Sequence, residues 1–177
     1  MKEWLAPYRL RICRPEMPPV TAADRVAFWI GTGFGAGLLR PASATWGSAF
    51  GMFYVWGWAK LPNFQEQLLA SVLVFGIAIW AAHRCAVIMN EKDPKAVVVD
   101  EIASLPLAFW PLVHFSHQWW LWLATFCVSR IADILKPWPA RKAEALHGGI
   151  GIVADDIISS CYTGLLLAGL LSWSGLH

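Results

Sequence analysis

The sequence predicts an all-α protein, a polytopic membrane helical bundle of about five transmembrane helices with a glycine-broken element before them. Three observations predict this class. Of the 177 residues, 57% are apolar and only 15% are charged, whereas soluble domains have about 25% charged residues. The mean hydropathy is +0.49. The apolar residues also form separate stretches close to the roughly 20 residues that a helix needs to cross a bilayer.

The first apolar stretch, Val26–Leu39, is interrupted by four glycines. This pattern favours a re-entrant or interfacial element over a regular span. The stretches that follow carry tryptophans near several of their ends, as is typical of membrane interfaces. We expect five spans: Trp46–Leu61, Leu68–Met89, Val97–Phe115, Gln118–Leu135 and Gly151–Trp173.

Residues 1–25 are predicted to form a cytoplasmic N-terminal segment, and residues 26–177 a single membrane-embedded domain. The first twenty residues mix basic residues with prolines and lack a continuous apolar core, so we expect no signal peptide. The four cysteines are widely scattered and include no C-x-x-C pair. This spacing argues against a structural zinc site and against a disulfide framework.

The basic residues predict the orientation in the membrane. If Trp46–Leu61 is the first span, 13 of the 14 Lys and Arg residues lie on one side and only Lys60 lies on the other. Because basic residues are retained on the cytoplasmic side, that side is predicted to be cytoplasmic. It also holds every acidic residue except Glu66. The glycine-rich segment, Asp100-Glu101 and the charged stretch after Arg130 are therefore predicted to share one face.

Two pairs of adjacent carboxylates begin predicted spans, Asp100-Glu101 in the third and Asp155-Asp156 in the fifth. One interpretation is that they are capping or interfacial acids, because the positive end of a helix stabilises a carboxylate. The other is a cation site, because a charge at membrane depth needs a partner. Mg²⁺ binds carboxylate oxygens together with waters and substrate phosphates.

Asp133 lies three residues after Arg130 and three before Lys136, so the three side chains are neighbours on a helix surface. A structural ladder of ion pairs is one interpretation. Two prolines end the helix at this point and direct Lys136 and Arg141 toward the loop. Fixed cations there could bind a phosphate, so the sequence provides acids for a metal and bases for an anion.

Three other patterns are open to more than one interpretation. His147 is either a solvated loop histidine or a proton relay. The motif G-T-G-F-G-A-G lacks the G-K-[ST] end of a P-loop, so it predicts close helix packing as much as ligand contact. Small residues at helical spacing predict packing between membrane helices: Ser159, Ser160, Thr163 and Gly164.

Several phosphatase mechanisms lack their residues in this chain. None of the four cysteines is followed six positions later by arginine, as a cysteine phosphatase requires. The P-S-G-H motif of histidine-nucleophile lipid phosphatases and the D-x-D-x-[TV] motif of aspartyl-phosphate enzymes do not occur in the sequence. A phosphatase built on this sequence would most simply use metal-assisted attack by water.

Four ordered blocks resemble those of a known family: G-F-G-A-G-L with T-W-G-S downstream, V-V-D-E, R-I-A-D-I-L-K-P-W-P-A-R, and H-G-G-I-G-I-V-A-D-D. From about Gly31 to Gly164 the chain resembles the phosphatidylglycerophosphatase A family of bacterial inner-membrane lipid phosphatases. The resemblance implies Mg²⁺-dependent hydrolysis of phosphatidylglycerophosphate to phosphatidylglycerol and phosphate. It also implies a multi-pass protein of the bacterial inner membrane whose active site faces the cytoplasm.

Two stretches depart from the family pattern. Ser43-Ala44-Thr45 stands where the family usually has P-G-T, which keeps the hydroxyl but loses the stiff turn. The stretch from Arg141 to Gly148 is about one residue shorter than the family pattern, with Ala143-Glu144 where an aspartate is common. The acids of the other blocks are all present, so we expect an active enzyme.

We predict three kinds of site residue. Three acids are predicted to be catalytic, the first as a further ligand or as the base that orients water: Asp100, Asp133 and Asp156. Four acids are predicted to bind one or two Mg²⁺ ions: Glu101, Asp133, Asp155 and Asp156. Four residues are predicted to bind the substrate phosphate: Thr45, Arg130, Lys136 and Arg141.

The expected partners are the anionic phospholipid substrate and membrane lipid, with no nucleic acid and no obligatory protein partner. The alternative function is a cation or phosphate transporter that uses the clustered carboxylates, since intramembrane acids and broken helices also mark ion paths. The acids lie on one side only, which counts against a path across the membrane. A purely structural membrane subunit is a third interpretation, and it leaves the clustered acids unexplained.

Overall fold

The computed structural model describes residues 20–39, 42–115, 119–136, 138–143, 145–146 and 148–174, which are helical or irregular and contain no strand. The all-α class is confirmed for this part of the chain. Seven α-helices are described: α1 (Ala22–Gly31), α2 (Ser43–Trp58), α3 (Phe64–Met89), α4 (Val99–Phe109), α5 (Trp119–Leu135), α6 (Ala140–Ala143) and α7 (Gly149–Ser174). Two short 3₁₀ helices cover Ala36–Leu38 and Trp110–Phe115.

Two of these helices, α3 and α7, are long and apolar enough to cross a membrane. The helices α2, α4 and α5 have 16, 11 and 17 residues, fewer than the roughly 20 that a span needs. The five-span bundle is therefore not confirmed and stays a prediction for the other three stretches. Many large apolar side chains are exposed on the outside of the bundle, forming a surface of the kind that lipid or a partner covers.

The predicted N-terminal element is broken at its glycines. Helix α1 ends at Gly31, and a turn follows in which Gly33 and Gly35 have φ values of 56° and 97°. The 3₁₀ helix Ala36–Leu38 completes the element. Positive φ is accessible to glycine at little cost, so these two residues make the turn possible.

The glycines of this element pack against the rest of the chain. A Cβ atom on Gly31 would lie 2.6 Å from Cys85 Sγ in α3, and one on Gly37 would collide with the Ala96 carbonyl group. The Val98 amide donates a hydrogen bond of 2.9 Å to the Gly31 carbonyl oxygen. The structure thus supports the packing interpretation of the glycine motif, and the packed segment supports the loop that leads into α4.

The N-terminus of α1 has a capping box formed by Thr21 and Asp24. The Thr21 amide and hydroxyl each donate a 2.8 Å hydrogen bond to Asp24 Oδ2. These hydrogen bonds hold the pKa of Asp24 below its usual value. Arg84 of α3 lies 3.4 Å from the same carboxylate and ties α1 to α3. Residues 1–19 of the predicted N-terminal segment lie outside the described residues.

Helix α4 occupies the centre of the bundle, where it packs most extensively against α7 and also against α2 and α3. Nine of its 11 residues are buried. The core cluster at its beginning includes small side chains such as Ala81 of α3 and its own Ala103, whereas the cluster at its end includes its larger Leu105 and Phe109 side chains. The first turn of α4 therefore lies where neighbouring helices approach closely, and that turn carries the predicted acids.

Candidate active site

Asp100 and Glu101 lie in the first turn of α4 and are each only 8% exposed. Glu101 accepts a hydrogen bond of 3.2 Å from the Ser48 hydroxyl of α2. This contact requires a close approach of the two helices. A Cβ atom on Gly47 would lie 2.5 Å from Val98, and one on Gly51 would lie 2.6 Å from Leu105. Small residues one turn apart therefore bring the Ser48 hydroxyl to the acid.

Arg130 and Asp133 of α5 reach the same place. One Arg130 nitrogen lies 3.5 Å from Glu101 Oε2 and 3.4 Å from Asp133 Oδ2. The neighbour relation between Arg130 and Asp133 is the one that their spacing predicts. Because Arg130 also contacts Glu101 of α4, its ion pairs are not confined to α5. They join α5 to the central helix.

Lys136 lies just after the end of α5, with a φ value of 45°. Its ammonium group donates a 2.7 Å hydrogen bond to Asp155 Oδ2 of α7. The lysine side chain is 27% exposed and the aspartate side chain 8% exposed. The sequence predicts that the end of α5 directs this lysine toward the loop. In the structure its ammonium group instead contacts Asp155 and so connects α5 to α7.

Asp156 lies 6% exposed on α7, close enough to Asp133 of α5 for the two carboxyl groups to interact. Two neighbouring carboxylates repel each other unless they share a proton or bind a cation. Two further oxygens of the cluster, Asp100 Oδ1 and Asp156 Oδ2, are buried without a hydrogen-bond partner. A buried carboxylate oxygen without a donor is costly, so these atoms face a position that a cation or a donor would stabilise.

The beginning of α7 is seated closely on α3, and this contact sets the position of Asp155 and Asp156. A Cβ atom on Gly149 would lie 2.8 Å from the His83 amide nitrogen and closer still to the Ile79 carbonyl oxygen. Only a residue without a side chain fits this contact unless one helix moves. The glycine pair of the H-G-G block is thus explained by helix packing, whereas His147 itself lies outside the described residues.

Sequence reasoning missed Asp93, which lies in the loop between α3 and α4. With Asp155 and Lys92 it lines a small pocket of about 20 Å³ beside the start of α7. It is also close enough for its charge to act on Asp100, Glu101 and Asp155. One feature of the sequence could have indicated Asp93. It lies seven residues before Asp100, in a short loop that the predicted span boundaries place on the same side of the membrane as the other acids.

Two predicted phosphate-binding residues are not brought to the acids. Thr45 is exposed near the start of α2, and Ser48, one turn later, is the hydroxyl that reaches Glu101. Arg141 is exposed on α6 and pairs with none of the acids in the described ranges. Glu144, which was considered in place of a family aspartate, lies outside the described residues.

The altered stretch Ser43-Ala44-Thr45 forms the beginning of α2. Ala42 precedes the helix with a φ value of 65°, and α2 begins at Ser43. The Ser43 hydroxyl donates a 2.8 Å hydrogen bond to the Lys95 carbonyl oxygen in the loop before α4. Ser43 therefore links the first family block to the loop that carries Asp93.

The cluster of carboxylates and cations has the composition of a site for a divalent ion and a phosphate. No three His, Cys, Asp or Glu side chains among the described residues converge closely enough to enclose a metal ion. The donor chemistry nevertheless fits Mg²⁺, which prefers carboxylate oxygens and water, and the two unpartnered oxygens supply suitable ligands. Holding an ion would require the carboxylates to move closer together.

Comparisons with known proteins agree with the four sequence blocks. The profile of the family described as phosphatidylglycerophosphatase A matches residues 29–171. The phosphatidylglycerophosphatase A of Haemophilus influenzae is 30% identical over 145 residues, covering 81% of this chain and 88% of that protein. The phosphatidylglycerophosphatase A of Escherichia coli is 32% identical over 152 residues, covering 84% of this chain and 83% of that protein.

A third relative has a different name. A protein of Bacteroides thetaiotaomicron named "Putative phosphatidylinositol-3-phosphatase" is 35% identical over 143 residues, covering 78% of this chain and 89% of that protein. No solved structure is a significant match to the chain.

Proposed function

The chain belongs to the phosphatidylglycerophosphatase A family of phosphatases, and from this membership we propose that it hydrolyses phosphatidylglycerophosphate to phosphatidylglycerol and phosphate with Mg²⁺ as cofactor. One observation carries the proposal beyond family membership. Acids from α4, α5 and α7, which are far apart in sequence, meet at one place beside Arg130 and Lys136. Fixed cations bind a phosphomonoester, and carboxylates bind the divalent ion that would act on it.

Lys136 and Arg130 are the proposed phosphate contacts. Lys136 is the more accessible of the two, with a side chain 27% exposed against 15% for Arg130. Each already pairs with a carboxylate, so an arriving phosphate would share these cations with the acids. Lys136 would meet the headgroup first, and Arg130 would hold the phosphoryl group against the first turn of α4.

Asp100 is the proposed acceptor of the proton from the attacking water. Its buried Oδ1 has no hydrogen-bond partner, so it is available to orient a water molecule. Glu101 beside it is held by Ser48 and Arg130, which leaves Asp100 with the freer oxygen. Because phosphoryl transfer depends mainly on positioning and electrostatic stabilisation, these fixed contacts are the principal contribution of the protein.

Glu101, Asp133, Asp155 and Asp156 would hold Mg²⁺. The bound ion would offset the negative charge on the phosphoryl oxygens and make water a better nucleophile. Asp133 and Asp156 lie close enough for their charges to interact, and a cation between them would relieve their mutual repulsion.

We propose that the protein lies in the bacterial inner membrane with this site on the cytoplasmic side. The positive-inside asymmetry supports this orientation, because in the predicted five-span arrangement 13 of the 14 Lys and Arg residues lie on the side of the acids. The acyl chains of the substrate would then stay in the bilayer while its headgroup reaches the site. Neither the comparisons nor the described part of the chain favours the transporter alternative.

The experiment is phosphate release by the purified protein in detergent, with Mg²⁺ and then with excess chelator. Phosphatidylglycerophosphate, phosphatidic acid and phosphatidylinositol-3-phosphate are compared, the last because of the Bacteroides relative. We expect release that needs Mg²⁺ and is fastest from phosphatidylglycerophosphate. Release that persists in chelator would refute the cofactor, and faster release from another lipid would reassign the substrate.

Matched variants test the acids. Asp133→Asn and Asp156→Asn are each expected to lower turnover by about 100-fold or more, because each removes charge and a ligand at the reacting phosphate. Glu66→Gln is the control, since Glu66 lies in the first turn of α3 at the opposite end of that helix from the site. Full activity in Asp156→Asn, in protein shown to be folded, would contradict the proposed site.

A further inference from the structure

A cavity of about 370 Å³ lies at the end of the bundle away from the acids. It opens between α3, α4 and α7. The wall on α3 runs from Phe64 to Phe75, and the wall on α7 includes Cys161 and Leu165. Phe64 and Trp110 form part of its edge, with ring centroids 6.5 Å apart. Almost all of the lining is apolar.

The Trp58, Gln67 and Ser71 side chains of the lining already have hydrogen-bond partners. Trp58 Nε1 donates hydrogen bonds to the Gln67 carbonyl oxygen at 2.9 Å and to Ser71 Oγ at 3.1 Å. Ser71 Oγ donates to the Gln67 carbonyl oxygen at 2.9 Å, and Gln67 Nε2 donates to the Leu61 carbonyl oxygen at 3.3 Å. The cavity therefore suits an apolar occupant, because these polar groups have partners without one.

The dimensions of the cavity suit one hydrocarbon chain. A methylene group occupies about as much space as a water molecule, about 30 Å³, so a cavity of about 370 Å³ has room for at least a dozen methylenes. The α3 wall is about 16 Å long, close to half of a bilayer core about 30 Å thick.

We propose that this cavity binds one acyl chain of a membrane phospholipid from the leaflet opposite the acid cluster. The cavity lies between α3 and α7, the two described helices that are able to cross a membrane, so lipid is its natural surrounding. Lys60 is exposed at this end, with its ammonium group 3.5 Å from the centroid of the Trp56 ring. A cation beside an interfacial tryptophan is well placed for a lipid phosphate.

The bound chain fills the gap between two spans and has a structural role distinct from catalysis. Its headgroup lies on the other side of the membrane from the proposed phosphatase site, so the chain belongs to a resident lipid and not to the substrate. The inference therefore goes beyond the proposed function, and its failure leaves the phosphatase proposal intact.

The test is photolabelling of the full chain in vesicles of phosphatidylethanolamine and phosphatidylglycerol. The probe is a phosphatidylethanolamine with a diazirine near the end of one acyl chain. This lipid is a phosphodiester, so it is not a substrate of the proposed phosphatase. Mass spectrometry compares two groups of α3 residues with similar exposure, between 52% and 59%. The lining group is Leu68 and Val72, and the control group, which lies outside the cavity, is Leu69 and Leu73.

We expect several-fold more label on the lining group than on the control group. Leu68→Trp, which fills the cavity, is expected to abolish the excess at Val72, whereas Leu69→Trp is expected to preserve it. Equal labelling of both groups would show bulk lipid contact only and would overturn the proposal. Less label on the lining group than on the control group would show that protein and not lipid covers the cavity, and would also overturn the proposal.

Discussion

Replacement of Gly149 by alanine tests whether helix packing at α3 positions the acids of α7. The new Cβ would lie 2.8 Å from the His83 amide nitrogen, about 0.6 Å short of the 3.4 Å at which ordinary contact begins, and closer still to the Ile79 carbonyl oxygen. Both neighbours are backbone atoms, so α7 must move away from α3 by on the order of 1 Å. A misplacement of about 1 Å can reduce turnover by roughly 100-fold.

The displacement would separate Asp155 from Lys136, which now lie 2.7 Å apart. We therefore expect Gly149→Ala to lower phosphate release per folded molecule by about 100-fold. Overpacking of this kind also lowers the free energy of unfolding by about 1–3 kcal/mol, which thermal unfolding in detergent measures. Activity is assayed well below the midpoint of that transition, so that loss of folded protein does not contribute.

Two glycines in the same pair of helices are matched controls. A Cβ atom on Gly76 of α3 or on Gly169 of α7 would meet nothing within 4 Å. Alanine at either position is expected to keep full activity and to stabilise the helix by about 0.5–1 kcal/mol. If Gly149→Ala is as active as Gly169→Ala, the contact between α3 and α7 does not position the acids, and the reasoning fails.

Three further predictions concern the site itself. Ser48→Ala removes the donor to Glu101 and should lower turnover by about fivefold, corresponding to about 1 kcal/mol for one hydrogen bond; unchanged kinetics would exclude a positioning role. Lys136→Met should raise KM more than it lowers kcat, and Lys136→Arg should restore much of the loss; an effect on kcat alone would contradict phosphate binding. Mg²⁺ should raise the Tm of the wild-type protein and not that of Asp156→Asn, since a ligand stabilises only the state that binds it. Equal shifts in both proteins would place the ion elsewhere.

The two long apolar helices were predictable because nothing interrupts them. The predicted span Leu68–Met89 ends at the same residue as α3, and Gly151–Trp173 nearly coincides with α7. The structure of the stretch Val97–Phe115 was harder to predict, since apolar composition alone does not reveal where an α-helix gives way to a 3₁₀ helix. There α4 ends at Phe109, and a 3₁₀ helix follows that contains Pro111, a residue without an amide proton.

The acids of the site could be predicted from the sequence, because adjacent carboxylates are unusual beside apolar stretches. The residues that contact these acids could not be predicted, because they depend on how the helices cross. Thr45 and Ser48 lie one turn apart in the same block, and only the contacts of Gly47 and Gly51 with α4 determine that Ser48 reaches Glu101. Asp93 was missed for a similar reason, since the path of its loop depends on the glycine-rich segment packed against it.

The dependence of α4 on α7 has a consequence for how the protein is made. α4 is the central helix and packs most extensively against α7, the last described helix to leave the ribosome. Glu101 can already pair with Ser48 of α2 and Arg130 of α5 before α7 is made, whereas Asp100 lacks the packing of α7 until then. The first turn of α4 therefore keeps one of its two acids outside its final surroundings until α7 has been made, and the proposed site cannot form before then.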